Sequence, residues 1–305
     1  MKHIVRKLQS REMDAIMAIQ HSMLRAIHEC FHKKGFTQIM PVILSPLTDP
    51  LCHSVHDAEI GYYGQKLKLT KSMILHKQIS LMGRRSAIYT VSPNIRLEMD
   101  DKGKTGRHLI EFSQVDFEIK GAKREDVMQF MEGLVKSVFR KVRKECGKEL
   151  KLLKRELSVP KAPFKAYHTK EAEAKYGREF EAELSKQEKE PFWLLSHDRE
   201  FYDREDVSKP GYYLNYDLVW PEGYGEALSG GEREFEHKRI VLRMKRRKMK
   251  LKAYRDYLKL AKMKALPQTA GAGFGVERML RYICGKKHIE EVCLFPKVPG
   301  ARIRL

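Results

Sequence analysis

Two side chains in the stretch "NIRLEM", Arg96 and Glu98, are of types that bind nucleotides. Residues two apart on a strand share one face, so a guanidinium and a carboxylate would lie side by side there. Such a pair can hold a phosphate and an adenine amino group, or it can be an ordinary cross-strand ion pair. The next segment adds potential cations, which together with Arg96 are typical of a polyphosphate site: Lys102, Lys104, Arg107 and His108.

A second pair of chemically useful residues, Asp217 and Glu226, stands on two strand-like segments joined by a glycine-containing turn. Two carboxylates that converge from neighbouring strands suit Mg²⁺, which takes few protein oxygens and completes its shell with phosphate and water. Ser229 and Arg233 follow closely. An ordinary hairpin with solvated acids explains the same pattern, and both interpretations stay open.

The third feature is the glycine-rich stretch "GAGFGVERML". A dinucleotide-binding fingerprint needs a third glycine, but Val276 or Arg278 stands there, depending on the starting glycine. The P-loop pattern fails as well, because Glu98 occupies the place of its first glycine. Glycines at alternate positions, followed by a helix with Arg278 in its first turn, indicate either a phosphate-binding floor or close packing of helix on strand.

These residues need elements to position them, and helical spacing identifies several. Ser10 is a plausible N-cap for a first helix whose apolar residues repeat at helical spacing, and Gly35 is a natural stop. The stretch "REDVMQFMEGLVKSVFRKVRKEC" predicts an amphipathic helix. The segment "VERMLRYICG" predicts another.

Strand patterns occupy the stretches between these helices. "GFTQIMPVILSP" predicts a strand that lies at an edge or is broken at Pro41, because proline cannot donate to a sheet. Alternating or β-branched segments predict further strands: "YYGQKLKLT", "SAIYTVSPNIRLEM", "HLIEFSQVDFEIKG", "YYLNYDLVW" and "GEALSGG". The polar "DDKGKTG" predicts a hairpin loop. The order of elements predicts an α+β fold, an antiparallel sheet flanked by helices, in one domain over residues 1–305.

The formal net charge of +20 is concentrated in one segment. Residues 238–264 contain 13 lysines and arginines and one acid, Asp256. We expect one long basic helix there, with an apolar stripe of Leu251, Tyr254 and Leu258. Its charge indicates either a solvated helix face or weak contact with RNA.

Cysteine usage and the N-terminal sequence bear on location. The five cysteines are scattered and form no CxxC pair, which predicts reduced thiols and no zinc site. The first residues contain no apolar signal core, and no apolar run is long enough to cross a membrane. We therefore expect a cytoplasmic protein with no membrane partner.

Three motifs in chain order resemble the class II aminoacyl-tRNA synthetases, most closely the aspartyl and asparaginyl enzymes. "GFTQIMPVILSP" is similar to motif 1, "IRLE…RHLIEFSQVDFEI" to motif 2 and "GAGFGVERML" to motif 3. The resemblance is most secure over Gly35–Pro46, Tyr89–Glu118 and Tyr216–Gly285. It implies a class II synthetase-like fold and a homodimer joined through Gly35–Pro46, with Pro41 in the interface.

The resemblance also implies that the chain binds ATP and that Arg96 and Arg278 are catalytic. Arg96 would bind the α-phosphate, Glu98 the adenine end, and Arg278 the γ-phosphate. Asp217 and Glu226 match the acids that bind Mg²⁺ in the family. The ATP-binding residues implied in this way are Arg96, Glu98, Arg107, His108, Glu226, Gly275 and Arg278.

The amino-acid site of the family has counterparts too. In "KSMILHKQ", Lys77 matches the lysine that binds the side-chain carboxylate of aspartate, and Arg233 matches the arginine that binds with it. Ser229 matches a serine that follows the magnesium-binding acids. Gln114 and Asp116 are candidates for binding the substrate amino group.

Some features depart from the tRNA-charging members. Their anticodon-binding barrel precedes the catalytic core, whereas the first core helix is expected here about ten residues into the chain. Met73 and Ile74 replace a proline and a glutamine. "DREFYDRED" replaces a proline-rich segment, and its Asp198 and Arg199, with the preceding His197, either line the amino-acid pocket or lie on a solvated loop.

A stand-alone core with aspartate-type residues resembles the archaeal asparagine synthetases that are related to asparaginyl-tRNA synthetase. This resemblance implies an AMP-forming aspartate–ammonia ligase. It would use ATP, Mg²⁺ and ammonia, pass through a β-aspartyl-adenylate, and not require tRNA. The alternative is an enzyme that charges a tRNA or protein acceptor through an α-aminoacyl-adenylate. A catalytically silent RNA-binding protein is disfavoured, because the set of ATP-binding residues is in place.

Overall fold

The structure, a computed structural model, describes residues 2–303 apart from the side chain of His3. The strands are β1 (Thr37–Gln38), β2 (Leu44–Ser45), β3 (Val55–His56), β4 (Glu59–Tyr62), β5 (Gln65–Leu69), β6 (Ala87–Ile95), β7 (Leu97–Glu98), β8 (Glu111–Lys120), β9 (Lys165–His168), β10 (Phe192–Leu195), β11 (Asn215–Trp220), β12 (Gly225–Glu232) and β13 (Thr269–Gly275). The α-helices are α1 (Lys2–Leu8), α2 (Arg11–Lys33), α3 (Ile74–Ser80), α4 (Arg124–Glu145), α5 (Gly147–Leu152), α6 (Thr169–Tyr176), α7 (Phe180–Gln187), α8 (His237–Arg246), α9 (Arg255–Lys262) and α10 (Val276–Cys284).

One large sheet organises the fold, with strand order β1-β6-β8-β13-β12-β11-β10-β9. Neighbouring strands are antiparallel except for β1 with β6 and β10 with β9. Smaller sheets join β2, β5 and β4, and pair β3 with β7. The predicted α+β fold, a mainly antiparallel sheet with flanking helices, is confirmed.

The register of the central strands aligns the residues of interest in rows. Gly273 of β13 is paired with Asp116 of β8 on one side and with Ser229 of β12 on the other. Two residues along, Gly271 is paired with Glu118. Because alternate residues of a strand share a face, these two rows project to the same side of the sheet.

Helices cover the sheet with apolar residues at helical spacing. Residues of α2, α4 and α10 join those of β8, β11, β12 and β13 in the largest cluster of buried side chains. Phe31 of α2 is fully buried and stacks on Tyr89 of β6, with ring centroids 4.4 Å apart. A second cluster joins α3, α8 and α9 to Phe201 and Tyr202. The second cluster therefore packs the basic segment against a stretch that the sequence left unassigned.

Several predicted boundaries are confirmed. α2 begins after Ser10, whose hydroxyl accepts a hydrogen bond from the Met13 N–H at 3.1 Å, and the chain leaves the helix at Gly35, where φ is 77°. Pro41 lies between β1, at the edge of the large sheet, and β2, in a different sheet. α4 and α10 also occupy the predicted places.

Two local predictions are wrong, and a third is confirmed with a difference in detail. The expected strand over Arg96 is broken, since Arg96 lies between β6 and β7 and donates its N–H to the Ile110 carbonyl at 2.8 Å. The expected hairpin loop does connect antiparallel neighbours, β6 and β8, and it contains a 3₁₀ helix over Asp100–Thr105. The expected single basic helix is two helices, α8 and α9, which a turn with Lys248 at φ 54° and a 3₁₀ helix over Leu251–Tyr254 separate.

Three broader expectations concern the cysteines, membrane-spanning helices and the number of domains. All five cysteines are free thiols, as predicted. No helix among residues 2–303 is long and apolar enough to cross a membrane. The prediction of one domain over residues 1–305 stays a prediction, although the strands of the large sheet come from positions as distant as Thr37 and Gly275.

Candidate active site

A cavity of about 180 Å³ lies over the central strands of the large sheet. Its wall receives side chains from α3, from the β6–β7 junction, from β8 and β12, and from the start of α10. The predicted site residues that line it are Lys77, Arg96, Glu98, Arg107, His108, Gln114, Asp116, Glu226, Ser229, Arg233, Gly275 and Arg278. Asp217, Lys102 and Lys104 do not line it. Residues of motif 2, of motif 3 and of the segment that contains Glu226, Ser229 and Arg233 therefore converge on one site, to which motif 1 contributes no lining residue.

One end of the cavity is rich in arginine. Arg96 donates from Nε to the Lys71 carbonyl at 3.0 Å, and its guanidinium lies 5.1 Å from the centre of the Phe112 ring. Arg278 lies 3.3 Å from a carboxylate oxygen of Glu226 and also donates to the Glu226 carbonyl at 3.2 Å. These contacts fix both guanidiniums before any ligand arrives, which lowers the entropy cost of binding an anion.

His108 does not add to this positive charge at neutral pH. Burial lowers its pKa to about 4, and the neighbouring Arg278 and Arg107 reinforce the shift. The prediction of His108 as a cation is therefore wrong. A neutral imidazole can still donate a hydrogen bond to an anion from one ring nitrogen.

Glu226 stays ionised at the centre of this positive region. Burial alone would raise its pKa, but the guanidiniums of Arg278 and Arg107 outweigh burial and lower the pKa to about 2. Arg107 itself has a second partner, Glu181 of α7, at 2.8 Å. Glu226 therefore presents a carboxylate at any physiological pH.

The structure separates the two acids that were predicted to bind magnesium together. Asp217 accepts a hydrogen bond from Arg199 Nη1 at 2.6 Å, and its other oxygen lies 3.2 Å from His197 Nε2. Arg199 lines the cavity and Asp217 does not. No group of three or more histidine, cysteine or acidic side chains within residues 2–303 could enclose a metal ion. Glu226 is thus the predicted metal-binding acid that faces the cavity.

At the other end, the two predicted amino-acid-binding cations already have acidic partners. Lys77, with a side chain only 2% exposed, donates to Asp116 at 2.8 Å and to the Ala272 carbonyl at 3.0 Å. Arg233 donates from Nε to Glu118 at 3.0 Å. We call Lys77, Asp116, Glu118 and Arg233 the buried charge network.

The alternate glycines of β13 have a role that differs from the predicted one. A Cβ on Gly271 would collide with the Glu118 carboxylate, and a Cβ on Gly273 would come within 2.8 Å of Asp116 Oδ1. These glycines therefore leave room for groups of the neighbouring strand β8, including the Phe117 carbonyl, Gln114 and two acids of the buried charge network, where the sequence suggested room for a ligand. Gly275 differs, because a Cβ there would meet Arg278 at an ordinary 3.5 Å.

Two buried carboxylate oxygens at the cavity wall have no hydrogen-bond partner among the described residues: Glu98 Oε2 and Asp116 Oδ2. The other oxygen of Glu98 lies 3.2 Å from His53 Nε2, and the other oxygen of Asp116 accepts from Lys77. Buried polar atoms are rarely left unpaired, so these two mark places where a ligand can donate. They belong to the two ends of the cavity, beside Arg96 and Lys77 respectively.

Gln114 is held differently from the prediction that it binds an amino group. Its side-chain oxygen accepts a hydrogen bond from Asn94 Nδ2 at 2.8 Å, so the side-chain NH₂ group is the part of Gln114 that can bind a ligand. An NH₂ group donates and therefore suits a carboxylate, not an ammonium group. Asp116 remains the better acceptor for a substrate amine.

Sequence reasoning missed part of the wall. Arg199, Glu200, Tyr202 and Asp203 line the cavity. The sequence left Arg199 open between a pocket and a solvated loop, and it gave no periodic signal for its neighbours. His197 does not line the cavity, and Asp198 pairs with Arg247 instead.

Further lining residues also escaped notice. The wall includes Asp49, Cys52 and His53, which precede β3 in the chain, and Phe112 beneath Arg96. Glu277, within a motif that was recognised, accepts hydrogen bonds from the Ser113 N–H at 2.9 and 3.0 Å. The one sequence signal that could have identified a lining residue is the aromatic Phe112, which lies within the recognised motif 2 stretch.

The chain matches a known protein family over almost its whole length. The family described as tRNA synthetases class II (D, K and N) matches residues 1–299. The asparagine–tRNA ligase of Pelotomaculum thermopropionicum is 30% identical over 95% of this chain and 70% of its own length. The chain belongs to the class II tRNA synthetases of the D, K and N type. The asparagine–tRNA ligase of Pyrococcus abyssi is 28% identical, over 96% of this chain and 70% of its own.

Solved structures agree with this class II fold. Asparaginyl-tRNA synthetase from Pyrococcus horikoshii, complexed with asparaginyl-adenylate, has a TM-score of 0.87 and 24% identity over 97% of this chain and 71% of its own. The Entamoeba histolytica asparaginyl-tRNA synthetase complexed with asparaginyl-adenylate has a TM-score of 0.83 and 21% identity over 97% and 70%. At these identities the structural likeness establishes the shared fold alone.

The comparisons correct the predicted function. Asparagine synthesis from aspartate and ammonia is contradicted, because the relatives found across most of this class II chain are asparagine–tRNA ligases. The expectation that tRNA is not required fails for the same reason, and nothing supports ammonia as a substrate. The coarser identification as a relative of the aspartyl and asparaginyl enzymes is confirmed.

Glu200 gives this cavity a group that titrates near neutral pH. Burial raises its pKa to about 7, aided by Asp203 and Asp49 and opposed by Arg199, whose Nε lies 3.4 Å away. An unfolded chain releases this proton near pH 4.3. The folded state therefore binds more protons between about pH 4.5 and 7, and the free energy of unfolding contributed by Glu200 falls as pH rises through that range.

We expect Glu200→Gln to flatten this dependence in urea unfolding at about pH 5 and about pH 7.5, and to leave the part that comes from Glu277, whose pKa burial also raises to about 7. Glu156→Gln, at an exposed position, is the control. Equal pH dependence in wild type and Glu200→Gln would show that Glu200 ionises normally.

Proposed function

We propose that the chain activates asparagine or aspartate with ATP, through the α-carboxylate, and transfers the aminoacyl group to tRNA. In the first step a carboxylate oxygen attacks the α-phosphorus, the bond to the β-phosphate breaks, and pyrophosphate leaves. In the second step a tRNA hydroxyl attacks the acyl carbon and AMP leaves. The observation that carries the proposal is a single cavity with fixed arginines at one end and an unpartnered Asp116 oxygen at the other.

The arginine end suits ATP. Arg96, held by the Lys71 carbonyl and by Phe112, would offset charge on the α-phosphate as it is attacked. Glu98 Oε2 would accept a hydrogen bond from the adenine amino group, because His53 lies against the other oxygen. Arg278, which lines the same cavity, would bind the terminal phosphates as pyrophosphate leaves.

Glu226 is the residue that fits Mg²⁺ at this end, since it stays ionised and faces the cavity. Mg²⁺ commonly uses one or two carboxylates and completes its shell with phosphate oxygens and water. When bound, it would neutralise phosphate charge. Asp217 does not fit this role, because it does not line the cavity and because Arg199 and His197 lie against its two carboxylate oxygens.

The other end suits a short amino acid with oxygen on its side chain. Asp116 Oδ2 can accept from the α-ammonium group, and the NH₂ of Gln114 can donate to a carboxylate. Lys77 and Arg233 are already neutralised by acids, which favours a neutral carboxamide. A lysine in the wall nevertheless matches the family's aspartate site, so both amino acids belong in the test.

The deciding experiment follows ATP–pyrophosphate exchange with asparagine or aspartate, and then aminoacylation of total tRNA from the source organism. We expect exchange that depends on one of the two amino acids, followed by acid-precipitable aminoacyl-tRNA. ATP–pyrophosphate exchange without any transfer of the amino acid to tRNA would refute tRNA as the acceptor. Absence of exchange with both amino acids would refute activation itself.

Replacing the terminal-phosphate arginine tests the geometry. We expect Arg278→Ala to lower kcat for exchange about 100- to 1000-fold, because it removes a charged donor that acts on the leaving group. Arg140→Ala removes an exposed arginine of α4 that forms no ion pair among the described residues, and should retain wild-type exchange. Near-normal kcat in Arg278→Ala would place the phosphates elsewhere.

The segment around Pro41 is the proposed dimer interface. Met40 is 86% exposed and Ile43 51% exposed, which is unusual for large apolar side chains unless another surface covers them. We expect light scattering to give twice the chain mass of 35.7 kDa, and Ile43→Glu to shift the mass towards one chain. Val207→Glu, at another exposed apolar residue, should not. A monomeric wild type would exclude the interface.

A further inference from the structure

The basic segment that was predicted to be one helix folds back on itself and forms a surface groove. A shallow depression of about 380 Å³ lies beside α9 and the 3₁₀ helix before it. Lys252, Arg255, Lys259 and Lys262 line it, with the apolar Leu251 and Leu258 between them, and the lining contains no acid. We call this depression the basic groove.

The cations of the basic groove are regularly spaced. Arg255, Lys259 and Lys262 are four and three residues apart and so lie on one face of α9. Helical neighbours at this spacing are about 5–6 Å apart, comparable with successive phosphates of a nucleic-acid strand. The three cations therefore form a row along α9, which suits a linear polyanion.

These charges remain available to a partner. All four cations of the basic groove are exposed, and the ion pair recorded for them within residues 2–303 joins Arg255 to Asp256 at 3.6 Å. Both of those side chains are about four-fifths exposed, so water screens the pair and it contributes little. Asp256 is also the single acid in residues 238–264. The surface thus carries excess positive charge that folding does not use.

Other cations of the same segment form hydrogen bonds within the protein. Arg239 donates to the Glu205 carbonyl at 2.8 Å and Arg243 to the Glu200 carbonyl at 2.7 Å. These arginines of α8 face inward and hold the stretch that lines the active-site cavity. Among residues 2–303, no hydrogen bond of this kind is made by the outward cations of the basic groove, so the two sets of charges serve different purposes.

We propose that the basic groove binds the sugar–phosphate backbone of RNA. The inference rests on the proposed function, because a tRNA acceptor is the polyanion that this chain would meet. A concave surface with cations in a row fits a projecting phosphodiester strand, whereas a bilayer is flat on this scale and would require an outward apolar face. The apolar face of α9 is instead turned inward, since Tyr257 and Ala261 are buried.

The test measures equilibrium binding of fluorescently labelled tRNA at a series of salt concentrations. The groove variant carries Lys252→Gln, Arg255→Gln, Lys259→Gln and Lys262→Gln. The control variant carries Lys144→Gln, Lys148→Gln, Lys151→Gln and Lys161→Gln, which removes the same charge from exposed lysines that form no ion pair among the described residues. Thermal melting checks that both variants fold.

We expect the groove variant to bind tRNA at least about tenfold more weakly at 0.1 M salt, with a salt slope lower by about 3. The control variant should change little. Equal weakening of both variants would mean diffuse charge attraction and overturn the proposal, as would binding of phosphatidylserine vesicles, but not of tRNA, through the groove. ATP–pyrophosphate exchange by the wild type tests the proposed function separately, so a chain that exchanges but binds RNA elsewhere contradicts the groove alone.

Discussion

The buried charge network is the constraint on which the site depends. Lys77 and Asp116 lie 2.8 Å apart, Arg233 and Glu118 lie 3.0 Å apart, and none of the four side chains is more than 4% exposed. Breaking a buried pair leaves an uncompensated charge and typically costs about 3–5 kcal/mol. The network therefore ties α3 and the stretch after β12 to β8, which lies two strands away from β12.

Close approach of the central strands makes this network possible. β13 runs between β8 and β12, and its glycines leave the volume that Glu118 and Asp116 occupy. Any larger residue at Gly271 would have to displace the Glu118 carboxylate from Arg233. The glycines of β13 and the buried ion pairs therefore depend on each other. Together they form the floor of the cavity.

Local patterns predicted much of this fold, but they could not predict partners that are distant in the chain. The N-cap at Ser10 and the break at Pro41 follow from backbone chemistry, so the sequence is sufficient for them. The division of the basic helix follows instead from packing of α8 and α9 on the second apolar cluster, which overrides strong helical propensity. The contact of Asp217 with Arg199 also depends on tertiary structure, and it removes from the cavity an acid that motif spacing had placed there.

Charge is distributed unevenly along the cavity, and this unevenness gives the site a direction. Arg96, Arg278 and the ionised Glu226 make a net positive end, where a neutral His108 adds donors without charge. At the other end Lys77 and Arg233 are balanced by acids, and the unpartnered oxygen of Asp116 attracts a cation. A zwitterionic amino acid would therefore place its ammonium group at Asp116 and its carboxylate towards the arginines. That orientation brings the α-carboxylate towards the phosphates of a bound nucleotide, as formation of an α-aminoacyl-adenylate requires.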